Sequence, residues 1–437
     1  MARKRKMSWR LRWAAVRYRF KESLFAYPTL LMLVGVVLAV ITTLIDDRIG
    51  HDADLPLTIA LSSNAAMWLL STVAGAMITT VGVVFSLTVV SLQLASDQFS
   101  PRVMRSFIRD RLSQRVIGLL VATFFYCVLI LPNVSGEATD PAPQVSVTVA
   151  VILTVVTVIG ILAHLDHLAH GLQVGNVARV IVDEGERIAG ERESIPEGLT
   201  QADPADFHDV PDDALTIPAA INGWVTQVDI EYLFRTMAPG TTVRLETRIG
   251  AYIHTGEALL KVWPTPAEGS PDLGQAVEIA DARAMLQDTD FAIRQLVDIG
   301  LRALDSDDPT TAVEITLRLG SLLRTVLITP LIPEALRDDE ERVVVQPWNL
   351  SHEEFIVHGF DQLRLASREQ PEVIGTLLRV LRMLADHVRD DHPELIPVLD
   401  RQSRLILESL PTDLHPEDLA RLRALTSDKS DPADHSR

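Results

Sequence analysis

The chain has 437 residues, enough for two or three domains, and it combines 47% hydrophobic with 22% charged residues. Apolar and charged residues are segregated along the chain. Residues 1–130 carry 15 Lys/Arg and 7 Asp/Glu, a net charge of +8. The net charge of the whole chain is −18, so residues 131–437 carry −26. An acidic surface repels nucleic acid and anionic lipid, which excludes both as expected partners of the acidic part, and the single cysteine excludes an intrachain disulfide and a cysteine metal cluster.

The first part of the chain predicts a membrane domain. Residues 1–27 are basic and rich in aromatic side chains, as in a segment at a headgroup interface. Four apolar stretches then predict transmembrane helices within a domain of residues 28–170: residues 28–45, 66–95, 116–131 and 145–165. Arg and Lys are concentrated at the N-terminus and in the second loop. By the positive-inside rule, we expect a multi-pass protein of the cell (inner) membrane with both termini in the cytoplasm.

The second apolar stretch carries small and polar residues along one face. At about 100° per residue, six of them share a narrow stripe, and we call this set the α2 stripe: Ser71, Gly75, Thr79, Gly82, Ser86 and Gln93. The spacing of its first five members is typical of helices whose backbones approach closely in lipid. The pattern favours a packing seam against another helix, of this subunit or of a neighbour. The alternative is a polar wall along a path for water or ions.

The loop after this stretch predicts a short amphipathic helix that begins at Ser100-Pro101. One side of that helix is apolar, and the other carries Arg102, Arg105 and Arg109. We expect it on the inner membrane surface, either as a charge signal that sets topology or as an element that couples to the second span.

Three histidines end the fourth stretch: His164, His167 and His170. Successive pairs are neighbours on a helix, whereas His164 and His170 diverge by about 120°, so one helix cannot gather all three around a metal. We therefore expect interfacial histidines without a metal. A metal site and a proton-sensing role are the alternatives.

The rest of the chain predicts a cytosolic region. Residues 171–213 indicate a helix that continues the fourth span, followed by an acidic linker. Residues 214–265 alternate apolar and polar side chains, which predicts a small β-rich module. Residues 276–428 have helical periodicity and predict a helical domain, and residues 429–437 predict a disordered tail. The expected fold is a mainly α membrane protein with four transmembrane helices, a β-rich module and a helical cytosolic domain.

Charged side chains at helical spacing mark the start of the helical domain. Arg294, Asp298 and Arg302 follow one another at intervals of four residues, which favours two salt bridges along one helix face. The alternative is a polar cluster, completed by Asp308 and Thr311, that binds a ligand or a neighbouring subunit. Because no hydrolase triad, phosphate loop or HExxH motif is present, we predict that the chain is not an enzyme and needs no cofactor.

Several stretches also carry a family resemblance. They are TVAGAMITTVGVVFSLTVVSLQLASDQFSPRVMRSFIRDR, FFYCVLIL, HLDHLAHGLQVGNVAR, NGWVTQVD, RQLVDIGLRAL and DPTTA, spread over residues 25–400. In these stretches the chain resembles the DUF2254 family of predicted bacterial membrane proteins. The resemblance implies four spans and a cytosolic C-terminal region, and it implies no reaction. The loop ALDSDDPTTA is shorter here than in similar proteins.

Two functional hypotheses follow from the sequence. The first is a homo-oligomeric channel or transporter-like protein, with the second span near the axis and the acidic part as regulator or vestibule. The second is a membrane-anchored sensor or scaffold whose cytosolic domain binds a protein partner or a small molecule. The expected partners are the lipid bilayer and further copies of the chain, and the sequence does not identify the transported or bound species.

Overall fold

The computed structural model describes residues 26–49, 58–98, 111–134, 141–171, 173–191, 195–265, 272–411 and 414–425. Contacts divide the chain at Gln173/Val174 into two compact units, here called the membrane unit and the C-terminal unit. The predicted basic N-terminal segment lies outside the described residues except for its last two positions. The inner-surface helix with Arg102, Arg105 and Arg109, and the tail at residues 429–437, also lie outside them.

Four long apolar helices form the membrane unit, as the sequence predicts. They are α1 (Ala26–Ile49), α2 (Ser63–Gln98), α3 (Arg111–Ile130) and α4 (Gln144–Gly171). All four are long and apolar enough to cross a membrane. The 36 residues of α2 extend about 54 Å at 1.5 Å per residue, so this helix is longer than the hydrocarbon core is thick.

Helix α3 is the centre of the membrane unit and packs against the other three. Its closest approach is to α1. A Cβ atom on Gly35 would lie 2.8 Å from the carbonyl oxygen of Ala122, and one on Gly118 would lie 3.0 Å from the Cα of Pro28. Glycine allows the two backbones to touch, as small residues do in membrane helices. The close packing within the unit therefore uses glycines of α1 and α3, outside the stripe that the sequence singled out.

A buried polar network joins α1, α3 and α4 at one end. Asp46 accepts hydrogen bonds from the backbone N–H groups of Val145 and Ser146, both at 2.9 Å, and from the Ser146 hydroxyl at 2.5 Å. It thereby caps the N-terminus of α4, where backbone donors lack partners within the helix. Tyr126 of α3 donates to the carbonyl of Ser146 at 3.0 Å and bonds the Thr42 hydroxyl at 2.9 Å. These bonds fix three helices in one register.

Two sheets form the β part of the C-terminal unit. A six-stranded sheet has the order β1-β8-β9-β4-β6-β2, and a three-stranded sheet the order β5-β3-β7. The strands are β1 (Leu199–Gln201), β2 (Leu215–Pro218), β3 (Gly223–Val228), β4 (Thr242–Leu245), β5 (Tyr252–Ile253), β6 (Ala258–Trp263), β7 (Val277–Ala280), β8 (Ala335–Asp338) and β9 (Val343–Val345). Only β4 and β9 pair in parallel among the described strands. The sheets therefore include strands from outside the predicted module of residues 214–265.

Eight helices complete the described C-terminal unit. They are α5 (Val174–Glu191), α6 (Ile230–Thr236), α7 (Thr289–Asp305), α8 (Pro309–Ile328), α9 (His352–Ala366), α10 (Pro371–His387), α11 (Ile396–Glu408) and α12 (Pro416–Ala424). The predicted continuation of α4 is wrong, because α4 ends at Gly171 and α5 begins anew at Val174. Helix α5 packs on α7 and α8, where Gly185 lies directly over Ala292 and Leu322. Its buried side chains thus belong to the C-terminal core.

Candidate functional site

A buried cluster of charged side chains connects the three-stranded sheet to α7 and α9, and we call it the ionic cluster. Arg283, after β7, donates from Nε to Asp288 at 2.6 Å and from Nη2 to Asp290 at 2.8 Å. Nδ1 of His358 on α9 lies 2.6 Å from the other oxygen of Asp290, Oδ1. Nε of Arg294 lies 3.6 Å from Oδ2, the oxygen that Arg283 binds. Asp288 and Asp290 are only 3% and 2% exposed, so their charges depend on these partners.

Local sequence places both carboxylates at the start of α7. Asp288 is the N-cap and accepts a hydrogen bond from the N–H of Phe291 at 3.1 Å. Asp290 lies in the first turn, where the helix dipole favours a negative charge. A helix that starts with Q-D-T-D therefore presents two acids to Arg283 from one turn.

The ionic cluster is held in its charged form. Burial opposes ionisation of Asp290, but hydrogen bonds from His358 and Arg283 outweigh it and hold the pKa of this carboxyl well below its usual range. Burial likewise opposes the charge on Arg283, and hydrogen bonds to Asp288 and Asp290 outweigh it and raise the pKa of the guanidinium. Asp290 and Arg283 therefore remain charged at neutral pH, and their pairing is a fixed connection between elements.

A glycine turn of the sheet packs directly on this cluster. Gly250 has a φ of +80°, and a Cβ atom there would lie 2.4 Å from Oδ2 of Asp288 and 2.7 Å from Nη2 of Arg283. The guanidinium of Arg283 also faces the rings of Trp224 and Phe291, with its carbon 5.8 and 5.2 Å from their centroids. Backbone, aromatic and charged contacts thus fix the sheet against α7.

A cavity of about 600 Å³ opens beside the ionic cluster, between the sheets and helices of the C-terminal unit. Its wall is mostly apolar and comes from distant parts of the chain, including Ile188 of α5, Ile249, Leu286 and Ile332. A second cavity of about 70 Å³ shares Ile249 and Ile332 with it and reaches Asp290. Binding sites for small molecules occupy about 300–1,000 Å³ and are mostly apolar with a few polar groups, and the larger cavity has both properties.

Six polar residues interrupt the apolar wall of the larger cavity: Glu191, Gln201, Asp229, Glu231, Gln287 and Gln346. Two of them are fixed by the backbone beside them. Oε1 of Gln287 accepts a hydrogen bond from the N–H of Val228 at 2.9 Å, and Asp229 accepts one from the N–H of Tyr232 at 2.9 Å as the N-cap of α6. Gln287 and Asp229 are thus held in place before any ligand arrives, which lowers the cost of binding.

The α2 stripe lies on the exposed side of its helix in the subunit. The buried residues of α2 that face the other helices are Ala66, Leu70, Ala74, Met77 and Val84, and at about 100° per residue they point away from the stripe by about 150°. A Cβ atom on Gly75 or Gly82 would meet no described atom within 4 Å. The hydroxyl of Thr79 donates to the carbonyl of Gly75 at 2.8 Å. The stripe is therefore not a packing seam between the described helices of one subunit.

The structure describes the side chains of two of the three predicted histidines. Buried His164 has Nδ1 3.4 Å from the hydroxyl of Ser113, whereas His167 is exposed and the side chain of His170 lies outside the described residues. Within the described ranges, no group of three His, Cys, Asp or Glu side chains is arranged to hold a metal.

The members of the predicted polar cluster lie on two helices of the C-terminal unit, α7 and α8, and at the N-cap of α8. Arg294 pairs with Asp290 one turn earlier on α7. Asp308 instead caps α8 by accepting a hydrogen bond from the N–H of Thr311 at 3.0 Å. Of the other two members of that predicted cluster, Asp298 is half-buried and Arg302 is exposed.

Sequence reasoning singled out Arg294 of the ionic cluster and missed Arg283, Asp288, Asp290 and His358. Asp288 carried a usable signal, because an Asp three residues before the first buried aromatic of a helix predicts an N-cap. Arg283 and His358 carried none, since their partners come from other elements and no fixed spacing connects them.

Comparison with known proteins gives the family but no activity. A family model described as "Predicted membrane protein (DUF2254)" matches residues 21–383. An uncharacterised protein of Mycobacterium bovis is 32% identical over 346 residues, which cover 74% of this chain and 64% of that protein, and an uncharacterised protein of Mycobacterium tuberculosis (strain H37Rv) matches to the same extent. The match thus spans less than two thirds of these relatives. No solved structure matches. The chain belongs to the DUF2254 family of predicted membrane proteins.

Proposed function

We propose that this protein is an inner-membrane sensor whose C-terminal unit lies in the cytoplasm and binds a small molecule without catalysing a reaction. The observation that carries the proposal is the cavity of about 600 Å³, which has the volume and mostly apolar wall of a ligand site. The basic residues at the N-terminus and between the second and third spans support a cytoplasmic location for both termini.

The position of the cavity suits a sensor. Its wall includes Ile188 and Glu191, at the end of α5, and residues 330–333, which follow α8 in the chain. A ligand there would contact α5, the first element of the C-terminal unit after the last membrane span. The ionic cluster fixes the three-stranded sheet to α7. Ligand binding would therefore shift α5 and residues 330–333 relative to the sheet and α7, which stay in place.

A thermal-shift screen of soluble metabolites on the full-length protein in nanodiscs tests this function. The test variant is Ile332→Trp, which narrows the cavity. The control variant is Leu317→Trp on α8, where the native side chain is 49% exposed. A ligand at about 100 times its Kd adds about 2.7 kcal/mol, which is about 5–10 °C for a unit of this size. We expect at least one compound to stabilise wild type and Leu317→Trp but not Ile332→Trp. A screen in which Ile332→Trp responds like wild type would contradict the proposal.

A homo-oligomeric channel is the second candidate, and the exposed α2 stripe favours it. Small and hydroxyl side chains that no described helix of the subunit covers can serve a contact between copies or line a path between them. Ion flux through liposomes that contain the protein distinguishes the candidates. We expect a channel to lose or change flux in Gly82→Leu and Ser86→Leu, and to keep it in Val83→Leu, an exposed position beside the stripe. Equal flux in all four proteins, or none under voltage, tension and pH changes, counts against the channel.

A further inference from the structure

We propose that the larger cavity binds an organic cation that has an apolar body and an oxygen able to accept a hydrogen bond. The inference rests on the proposed ligand-binding function and adds the chemical class of the ligand. Three independent properties of the cavity carry it: the sign of its charged groups, the apolar character of the rest of its wall, and one buried amide.

The charged groups among the lining residues that the structure describes are all acidic. Glu191, Asp229 and Glu231 contribute carboxylates, and no Lys, Arg or His occurs among the described lining residues. Glu191 also pairs with Arg187, which lies outside the wall, so part of its charge is balanced. Asp229 is half-buried, and Glu191 and Glu231 are exposed. The net negative charge of these three carboxylates favours a cation over an anion at the cavity.

The rest of the wall is apolar and would cover an organic group. Of the eighteen lining residues within the described ranges, twelve are Ile, Val, Leu or Pro. A hydrated metal ion or a small inorganic cation would leave this surface in contact with water, whereas an apolar body removes it from water. The cavity therefore matches a cation that carries hydrocarbon, and its volume suits a molecule larger than a simple alkylamine.

Gln346 supplies the hydrogen-bond donor. It follows β9 and is 3% exposed, and its backbone N–H is fixed to the carbonyl of Glu334 at 2.7 Å. Its side-chain Nε2 is buried and donates to no acceptor in the described structure, although Gln346 lines the cavity. A buried amide without a partner is costly and uncommon. An acceptor oxygen on a bound ligand would satisfy it.

Cysteine modification measures the charge preference in the intact protein. Leu286→Cys and, as a second reporter, Leu331→Cys place a thiol in the cavity wall. The native Cys127 is fully buried, so wild type serves as the unlabelled control, and exposed Ser321→Cys is the surface control. The reagents are the cationic trimethylammonium-ethyl and the anionic sulfonato-ethyl methanethiosulfonates. At either cavity thiol, we expect the ratio of the modification rate by the cationic reagent to that by the anionic reagent to exceed the ratio for a free thiol by at least about fivefold. The double variant Asp229→Asn/Glu231→Gln should reduce this excess.

The same reporters test the apolar body and the acceptor. Benzoylcholine and 4-phenylbutyltrimethylammonium share a cation and a ring, but only the first has a carbonyl. We expect benzoylcholine to protect the cavity thiol from neutral methyl methanethiosulfonate at about tenfold lower concentration, because one hydrogen bond to Gln346 distinguishes the two. Gln346→Leu should remove the difference, and benzoate should not protect.

The outcomes separate the two proposals. If neither cavity thiol reacts while Ser321→Cys does, the cavity is closed and the proposed ligand-binding function fails with it. If the thiols react with an anion preference or with none, the cavity exists and the cationic class is overturned. If both phenyl cations protect equally, or Gln346→Leu keeps the difference, the acceptor oxygen is overturned.

Discussion

At the scale of single residues, Gly250 shows how one backbone position can control a buried site. Its φ of +80° disfavours any side chain, and the space beside it is filled by Asp288 and Arg283. Gly240 is a matched control, because its φ is also positive, at +71°, and a Cβ atom there would meet nothing within 4 Å. We expect Gly240→Ala to cost about 1 kcal/mol of unfolding free energy from strain alone.

Gly250→Ala should cost at least about 3 kcal/mol, because it also displaces Asp288 from a buried ion pair. Urea unfolding of the full-length protein in detergent, followed by tryptophan fluorescence, measures both values. Equal costs for the two variants would mean that the ionic cluster tolerates the added methyl group.

Asp290 offers a second prediction, which compares the buried cluster with the cluster that the sequence suggested. Asp290→Asn removes the carboxylate that half-buried Arg283 and His358 share, so we expect a loss of about 3 kcal/mol or more, although Arg283 keeps its pair with Asp288. Asp298→Asn, two turns later on α7 and half-buried, should cost roughly 0.5 kcal/mol. Urea unfolding at neutral pH measures this difference.

The depressed pKa of Asp290 also predicts the direction of a pH effect. Its folded-state pKa lies below the ordinary Asp value of about 3.9, so its stabilisation is complete above that value and is lost as pH falls below it. Wild type should therefore lose more stability than Asp290→Asn as the pH is lowered from about 5 to 3. Parallel pH curves for the two proteins would show that the folded carboxyl has an ordinary pKa.

At the scale of elements, glycines on different helices have opposite roles. Gly35 brings α1 against the backbone of Ala122 on α3, whereas Gly82 on α2 has open space around it. We expect Gly35→Ala to push the helices apart and cost about 2 kcal/mol. Gly82→Ala should be neutral or stabilise α2 by up to about 1 kcal/mol, since alanine is the better helix former. Thermal unfolding in detergent, followed by circular dichroism, ranks the two. A large cost for Gly82→Ala would instead reveal a tight contact between copies.

The elements also show what the sequence could and could not predict. Four spans were predictable because each needs about 20 consecutive apolar residues, a signal that depends on no partner. Strands β1, β8 and β9 were missed because they have only three or four residues and find their partners far along the chain. The break between α4 and α5 follows Gly171, a residue type that commonly ends helices, and this signal was overlooked because the apolar pattern resumes at Val174.

The candidate site was hidden for a related reason. Its cavity and ionic cluster are assembled from segments as distant as α5 and α9, each of which shows only ordinary amphipathic spacing by itself. The α2 stripe was visible because it lies within a single helix, although only the structure shows that it faces outward. Patterns within an element were therefore predictable, and constellations between elements were not.

At the scale of the whole molecule, the charge distribution predicts which parts of the chain share a side of the membrane. The four spans require that the turn after α3, which contains Asn133, lies on the side opposite the C-terminal unit. The positive-inside rule assigns that turn to the outside, because the segment between α3 and α4, which contains the turn, has no Lys or Arg. A membrane-impermeant maleimide should label exposed Asn133→Cys in intact spheroplasts. It should label Ser321→Cys, at an exposed position of α8, only after permeabilisation, while buried Cys127 stays unlabelled in both states. The reverse pattern would place the C-terminal unit, and the ligand site proposed for it, outside the cytoplasm.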